Sequence, residues 1–177
     1  MSKISLLSGR WLAVALGGPI VHGAILGLRA GPRATLAFAL GLPAIVAAVT
    51  LLTAPTLYVG GALFGGRLSL SQVAASTARA LHALGLAMLG LAPLSLLLAS
   101  TVTLQSPSIF SLQVAGLMVV GLTIALRRLA GELDAAAGFG KRTLSWHLLF
   151  AAHTAVAFII GTRLFTDLNN LAERLAS

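Results

Sequence analysis

Four long stretches without a charged residue limit what this chain can fold into. They hold 18, 33, 47 and 20 residues and cover residues 11–28, 34–66, 80–126 and 143–162. An α-helix needs about 20 mostly apolar residues to cross the hydrocarbon core of a bilayer. Only 9% of all residues are charged, whereas a soluble domain carries about 25%. The sequence therefore predicts an all-α integral membrane protein.

The lengths of these stretches predict a bundle of about five transmembrane helices. The 47-residue stretch would form about 70 Å of helix, more than twice the hydrocarbon thickness, so it must turn back at Gln105-Ser-Pro-Ser108. The 33-residue stretch has no polar turn and predicts one tilted helix, kinked at Pro43 or Pro55. We expect spans at residues 11–28, 35–64, 80–103, 110–126 and 143–162, all within one domain of residues 1–177.

Some segments admit a second interpretation. Pro19 and His22 interrupt the first stretch, so it is predicted either to span or to lie in the interface as a re-entrant helix. No convincing small-x-small cleavage site precedes Arg29, so we expect this segment to stay uncleaved. Residues 69–79 predict a short interfacial helix. The amphipathic tail 163–177 either continues the fifth span, lies on the outer leaflet or docks a partner.

The basic residues predict the orientation. With the N-terminus inside, the cytoplasmic segments hold eight Lys and Arg residues and the outer segments hold four, which favours N-inside and C-outside. This placement in loops explains the net charge of +8 without nucleic acid, for which no basic patch interleaved with aromatic residues is present. Ten Arg against two Lys in an Ala- and Leu-rich chain is typical of a GC-rich bacterial genome. We therefore expect the bacterial inner membrane.

Few side chains could carry chemistry. The absence of cysteine excludes disulfides and Cys-based metal sites, and all four acidic residues lie outside the charge-free stretches. His147 and His153 are six residues apart, which places them about 120° apart on a helix rather than as a metal-binding pair. No nucleophile, base and acid occur in a recognisable order. The sequence predicts a protein that is not an enzyme and holds no cofactor or metal.

Three groups of residues are candidate sites. Small-xxx-small patterns predict close helix packing, although glycine is also simply common in membrane helices. The glycines are Gly23, Gly27, Gly61 and Gly65. Kinked helices line substrate paths in many transporters, although kinks also shape packing alone. The residues of such a path would be Pro43, Pro55, Tyr58 and Pro93. Basic residues before the fifth span would contact a partner or anionic lipid, or would only fix topology. They are Arg127, Arg128, Lys141 and Arg142.

One combination of features resembles a known family. The second stretch ends in Gly65-Gly-Arg-Leu-Ser69, a polar segment leads to a third span containing Pro93, and Lys141-Arg-Thr-Leu-Ser-Trp146 precedes the fifth span. Together with the five spans, this resembles bacterial members of the Yip family of membrane proteins, over about residues 43–165. The resemblance implies an N-inside, C-outside bundle, association with other membrane proteins and no catalytic residues. The long soluble N-terminal region common in that family is absent, which puts a GTPase-type partner in doubt.

The leading functional hypothesis is a non-enzymatic multi-span protein that acts as a small subunit or scaffold of a membrane assembly. Its expected partners are the lipid bilayer and other membrane subunits or further copies of the same chain. A transporter or channel component, with a path along spans 2 and 3, is the alternative. A membrane-embedded enzyme acting on lipid is the third hypothesis.

Overall fold

The computed structural model describes residues 9–28, 30–63, 68–101, 107–137 and 144–176. Side chains are described for these ranges except 107–115, 137, 144–146 and 176. Within them the chain forms five α-helices and no strand, which confirms the all-α prediction. The helices are α1 (Gly9–Gly27), α2 (Pro32–Leu63), α3 (Leu70–Thr101), α4 (Pro107–Ala137) and α5 (Leu144–Ala176).

Four of these helices, α1, α2, α3 and α5, are long and apolar enough to cross a membrane. Their apolar side chains remain largely exposed, as with Leu51 at 75% and Leu63 at 78%. In water such exposure would be unfavourable, whereas hydrocarbon solvates these side chains. The chain is therefore a helical membrane protein.

Helix α2 runs unbroken through Pro43 and Pro55, as one helix of 32 residues. Each proline removes one backbone hydrogen bond, and a helix in lipid can re-satisfy the freed carbonyl locally. Thr53 and Thr56 donate hydroxyl hydrogen bonds to the carbonyls of Val49 and Thr53, at 2.8 and 2.6 Å, neither of which is a carbonyl freed by a proline. The absence of a polar turn in this stretch therefore corresponds to a single long helix.

Helices α3, α4 and α5 are longer than the predicted spans. Residues 70–79, expected as a short interfacial helix leading into the third span, form the first turns of α3. Ser69 and Gln72 form a capping box, in which the Gln72 amide donates to Ser69 Oγ and the Ser69 amide donates to Gln72 Oε1. The expected loop after Arg127 is helical as far as Ala137, because its Leu, Ala and Glu residues are strong helix formers. Residues 163–176 of the tail continue α5.

The helices pack in the order α5, α2, α1, α3, α4. Helix α1 lies between α2 and α3, while α4 packs closely on α3 and α5 packs closely on α2. A turn with Gly31 at φ +101°, a conformation that favours glycine, joins α1 to α2. Among the described residues, α4 and α5 are not closely packed on each other. The bundle is therefore a ring of helices with one open side.

Apolar clusters close the two ends of the bundle. At the end that holds Arg79, Leu57 of α2, Val73 of α3 and Leu133 of α4 are buried together, with Phe150 of α5 packed against them. At the opposite end, α2 and α5 share a second cluster around Phe38. The region between the two clusters remains open between α4 and α5.

Candidate functional site

A cavity of about 470 Å³ lies between the two end clusters. Its back wall is Pro19 of α1, and the other four helices supply its sides. The lining residues fall between Leu42 and Leu57 on α2, Thr77 and Met88 on α3, Met118 and Leu129 on α4, and His153 and Phe165 on α5. Because α4 and α5 are not closely packed on each other, the cavity is a lateral cleft that faces the surrounding lipid. We call it the lateral cleft.

The lateral cleft is lined almost entirely by hydrocarbon. Three of its threonines, Thr50, Thr53 and Thr154, donate hydroxyl hydrogen bonds to the carbonyl one turn earlier in their own helices, at 2.7, 2.8 and 2.9 Å. Their hydroxyls are therefore satisfied, and they offer little to a polar ligand. Val119 and Phe158 remain 52% and 57% exposed. The cleft is suited to an apolar occupant.

Two polar groups lie at the end of the cleft that is closer to Arg79. His153 Nδ1 is 3.1 Å from the Thr56 hydroxyl, which itself donates to the Thr53 carbonyl. This hydrogen bond, whose direction depends on the tautomer of the imidazole, ties α5 to α2. Thr77 Oγ1 is buried, with no hydrogen-bond partner among the described residues. The lining thus becomes more polar toward the Arg79 end.

Beyond this end, an ion-pair cluster joins α3 to α4. Glu132 lies 2.8 Å from both Arg79 Nε and an Arg128 guanidinium nitrogen. A surface depression of about 320 Å³ is lined by Arg127, Arg128, Glu132 and two small residues. Leu126 and Leu129 on the same helix line the lateral cleft. At about 100° per residue, the residues of this depression lie on the face of α4 turned away from the residues that line the cleft.

The back of the cleft is sealed by glycines that allow backbone contact. A Cβ at Gly18 would collide with the Gly85 backbone, and a Cβ at Gly85 would collide with the Val14 carbonyl. On the other side of α1, a Cβ at Gly23 would meet the Phe38 carbonyl of α2. At Gly27 it would meet the Thr35 backbone. Helix α1 therefore lies as close to both neighbours as backbone atoms permit.

A buried hydrogen bond crosses the same sealed region. His22 Nε2 is 2.9 Å from Ser95 Oγ, and both side chains are buried. Ser95 Oγ also lies 3.2 Å from the Leu91 carbonyl, to which it donates. Which group donates in the bond between His22 and Ser95 depends on the tautomer of the imidazole. This bond links the middle of α1 to α3.

The predicted glycine sites lie in different surroundings. Gly23 and Gly27 contact α2 through its backbone, whereas Gly61 faces the Leu68 side chain, with 2.8 Å between an added Cβ and Leu68 Cδ1. We expected Gly61 to face a neighbouring helix, but Leu68 belongs to the connection before α3. Gly65 lies outside the described residues.

The residues of the predicted path do not line the lateral cleft. Pro43 is half-buried, and Pro55, Tyr58 and Pro93 are exposed. Because a helix turns about 100° per residue, Leu42 and Ala54 face the cleft while the adjacent prolines point elsewhere. The structure therefore places these four residues away from the cleft wall.

The predicted basic site is described only in part. Arg127 and Arg128 are exposed on the last turns of α4, and Arg128 pairs with Glu132. Lys141 and Arg142 lie outside the described residues. No three His, Asp or Glu side chains in the described part of the chain are grouped as metal ligands.

Sequence reasoning missed the lateral cleft and the contact between Gly18 and Gly85. The cleft depends on which helices fail to touch, and no local pattern encodes this. Gly18 follows Gly17, and this pair was an available signal of close backbone approach.

Comparison of the chain with protein-family models, curated proteins and solved structures finds no match.

Proposed function

We propose that the chain is a non-enzymatic multi-span protein that acts as a small subunit or scaffold of a membrane assembly. The supporting observation is a second class of glycine on the outside of the bundle. Gly90 of α3 and Gly116 of α4 are exposed, and an added Cβ at either would meet nothing within 4 Å. Glycine inside a helix costs about 1 kcal/mol relative to alanine. A neighbouring helix that packs closely on these positions would offset that cost.

The packing of α4 favours the same proposal. Helix α4 packs closely only on α3, so much of its surface has no protein neighbour among the described residues. Gly131 on this helix also has open space where a Cβ would lie. Association in lipid depends on van der Waals contact between such surfaces. The partner is either another membrane protein or a second copy of this chain.

Substitutions of Gly90 and Gly116, which we call the open glycines, test the assembly. Gly90→Leu and Gly116→Leu should reduce copurification of a stoichiometric partner, or dissociate an oligomer, after extraction in mild detergent. The thermal stability of the chain itself should change little, because neither position contacts the rest of the bundle. Ala155→Leu, at an exposed position of α5, is the matched control. If all three variants behave alike, the open glycines do not form an interface.

The proposed topology has five spans with the N-terminus inside. Residues 107–126 of α4 contain no charged residue and would extend about 30 Å as a helix, enough to cross the hydrocarbon core. Cysteines introduced into the Cys-free chain test the orientation. Ala135→Cys should be protected from an impermeant thiol reagent in intact cells, whereas Asn170→Cys should react; both positions are exposed. The reverse pattern would overturn the orientation.

A transporter or channel component is the alternative proposal. Its path would run along α2 and α3, as the prolines suggest, and Tyr58→Phe should then alter flux without altering assembly. The hydrocarbon lining of the lateral cleft favours the scaffold, because a polar substrate would need hydrogen-bonding groups along its path. Proteoliposomes that show no flux difference between Tyr58→Phe and the parent would remove this alternative.

Membership of the Yip family and location in a bacterial inner membrane remain parts of the proposal. The sequence motif around Gly65 and the usage of arginine support them. The proposed partners, lipid and other membrane subunits, agree with that resemblance.

A further inference from the structure

The contacts between α2 and α5 show how the two helices align along the bundle. A Cβ at Gly41 would collide with the Leu168 side chain, and the Thr56 hydroxyl lies 3.1 Å from His153 Nδ1. These two contacts are fifteen residues apart on each helix, so the helices run antiparallel in constant register. The last part of α5, from Arg163 onward, therefore runs beside the first part of α2 rather than beyond its end.

Helix α1 packs on the same part of α2. A Cβ at Gly23 would meet the Phe38 carbonyl, and one at Gly27 would meet the Thr35 backbone. Counting from these contacts places the charge-free stretch of α1 beside residues 34–51 of α2. At 1.5 Å per residue this stretch extends about 27 Å, close to the thickness of the hydrocarbon core. Around α1, the hydrocarbon layer therefore covers this part of the bundle.

Polar side chains occupy the outer face of the last part of α5. Arg163 and Asp167 form an ion pair of 3.6 Å, with side chains 78% and 55% exposed. Asn170 is exposed on the same face, which is turned away from the residues of α5 that line the lateral cleft. We call these three residues the polar stripe. The register of α5 places the polar stripe beside residues 39–46 of α2, at the depth where α1 is apolar.

The apolar surface of α5 is displaced toward the Arg79 end. The register of α1 places Arg10 level with Leu52 of α2. Beyond that level, Leu63 of α2 and Leu148 of α5 are still 78% and 61% exposed. At 1.5 Å per residue, the charge-free stretch of α5 therefore lies about 20 Å closer to the Arg79 end than the charge-free stretch of α1.

A tilt of the whole bundle cannot level this step. Helices α1 and α5 both pack on α2. Packed helices are 8 to 10 Å apart, so the axes of α1 and α5 are at most about 20 Å apart. Levelling a step of about 20 Å over that distance needs a tilt of about 45° or more, whereas transmembrane helices tilt by about 0 to 40°. The membrane surface must therefore meet α5 at a different height from α1.

We propose that the polar stripe is a headgroup-binding surface, along which lipid phosphate groups and water reach from the membrane surface opposite the Arg79 end down to Arg163. Beside α5 that membrane surface then lies about 20 Å closer to the Arg79 end than it does beside α1. Exposed charge in hydrocarbon is unfavourable, and local bilayer thinning and water penetration relieve it. The guanidinium of Arg163 pairs with lipid phosphate in this position. The polar stripe is separate from the open glycines, so this proposal and the scaffold proposal can fail independently.

Two cysteines at the same depth test the step. Thr166 of α5 and Ile20 of α1 are both exposed and lie within one residue of the same level of α2. Each single-cysteine variant is reconstituted in phosphatidylcholine vesicles, with an impermeant thiol reagent on both sides. Thr166→Cys should react at least about tenfold faster than Ile20→Cys, because the thiolate reacts and apolar surroundings suppress its formation.

The other outcomes of this measurement overturn the proposal. Fast reaction at both sites would show that the membrane surface is level around the bundle. Slow reaction at Thr166→Cys would place this residue in hydrocarbon or beneath a protein partner.

A photoreactive lipid tests the headgroup contact. Phosphatidylcholine with a diazirine in its headgroup should label α5 around Thr166 and leave α1 around Ile20 unlabelled. Equal label at the two sites would contradict the step. A reactive cysteine at position 166 without headgroup label would show that water alone covers the polar stripe, and would overturn the headgroup contact.

Removal of the ion pair tests its role. With Arg163→Leu and Asp167→Leu combined, reaction of Thr166→Cys should slow toward the rate of the site on α1. The matched control combines Asn169→Leu and Glu173→Leu, which removes a polar pair joined at 2.7 Å nearer the end of α5. This control should leave the rate nearly unchanged. An unchanged rate without the ion pair, or equal slowing in the control, would show that the polar stripe does not set the height of the membrane surface.

Discussion

The helices of this bundle pack tightly on one side and stay apart on the other. Around α1, glycines bring backbones into contact, and the buried pair of His22 and Ser95 crosses between helices. Between α4 and α5, large apolar side chains line a gap that no described residue fills. Both regions lie mostly within the charge-free stretches of the sequence. The difference teaches that small residues, rather than hydrophobicity, decide where helices close in lipid.

A methyl group placed in the sealed region should produce the largest effect. The Cβ of Gly23→Ala would collide with the Phe38 carbonyl, and backbone cannot rotate away as a side chain can. We expect a loss of about 3 kcal/mol in the free energy of unfolding, the upper part of the usual range for overpacking. Gly17→Ala is the matched control, since its Cβ would lie 4.0 Å from the nearest atom, Leu89 Cδ1. Reversible unfolding in detergent measures both, and equal stabilities would remove the distinction between the two regions.

The same methyl group at Gly61 should have a smaller effect. The nearest atom to its Cβ would be Leu68 Cδ1 at 2.8 Å, which is the far end of a flexible side chain. We expect Gly61→Ala to cost about 1 kcal/mol or less, because alanine also favours the helix. The unfolding assay used for Gly23→Ala applies here. A larger loss at Gly61 than at Gly23 would show that the α2–α3 connection, and not α1, limits the packing.

The hydrogen bonds of His22 and His153 allow a finer comparison of the two regions. Double-mutant cycles with His22→Phe and Ser95→Ala, and with His153→Phe and Thr56→Val, measure each coupling energy. Hydrogen bonds between membrane helices average about 0.6 kcal/mol and reach about 1.7 kcal/mol. We expect the pair of His22 and Ser95 to couple more strongly, because both of its side chains are buried, whereas Thr56 is exposed. Stronger coupling between His153 and Thr56 would instead show that the helices are held together more firmly beside the lateral cleft than around α1.

Added volume in the lateral cleft should have the smallest effect. Ala157 lines the cleft, so the extra carbons of Ala157→Leu would enter empty space. The expected change in unfolding free energy is within about 0.5 kcal/mol, similar to that of an unconstrained surface position. Ala15→Leu, at a buried position of α1, is the contrasting variant and should be strongly destabilised. A comparable loss at Ala157 would mean that the cleft closes in the membrane.

Much of the fold could be predicted because charge cannot enter hydrocarbon. The gaps between arginines locate α1, α2, α3 and α5 to within several residues at most ends. The ends of α3 and α4 were missed because Arg79, Arg127 and Arg128 end the charge-free stretches without ending the helices. Helix continues there through residues with high helix propensity and through the ion pairs of Glu132.

The candidate site was much less predictable than the helices. Gly23 and Gly27 could be selected from their spacing, and both contact a neighbouring backbone. The prolines could not indicate the cleft, because the side chains that line it are ordinary Leu, Val and Thr residues. Which helices remain apart depends on contacts across the whole bundle. The sequence of any single helix does not reveal which helices remain apart.

The central position of α1 has a consequence for biogenesis. This helix has the lowest mean hydropathy of the four that can span a membrane, since it contains glycines, Pro19 and His22. Left alone in the bilayer after synthesis, it would expose its polar imidazole to lipid. Its close fit to α2 through the turn at Gly31 means that a helical hairpin can enter as one unit. We expect the translocon to release α1 slowly until α2 has emerged, and α3 then to complete the shielding of His22 through Ser95.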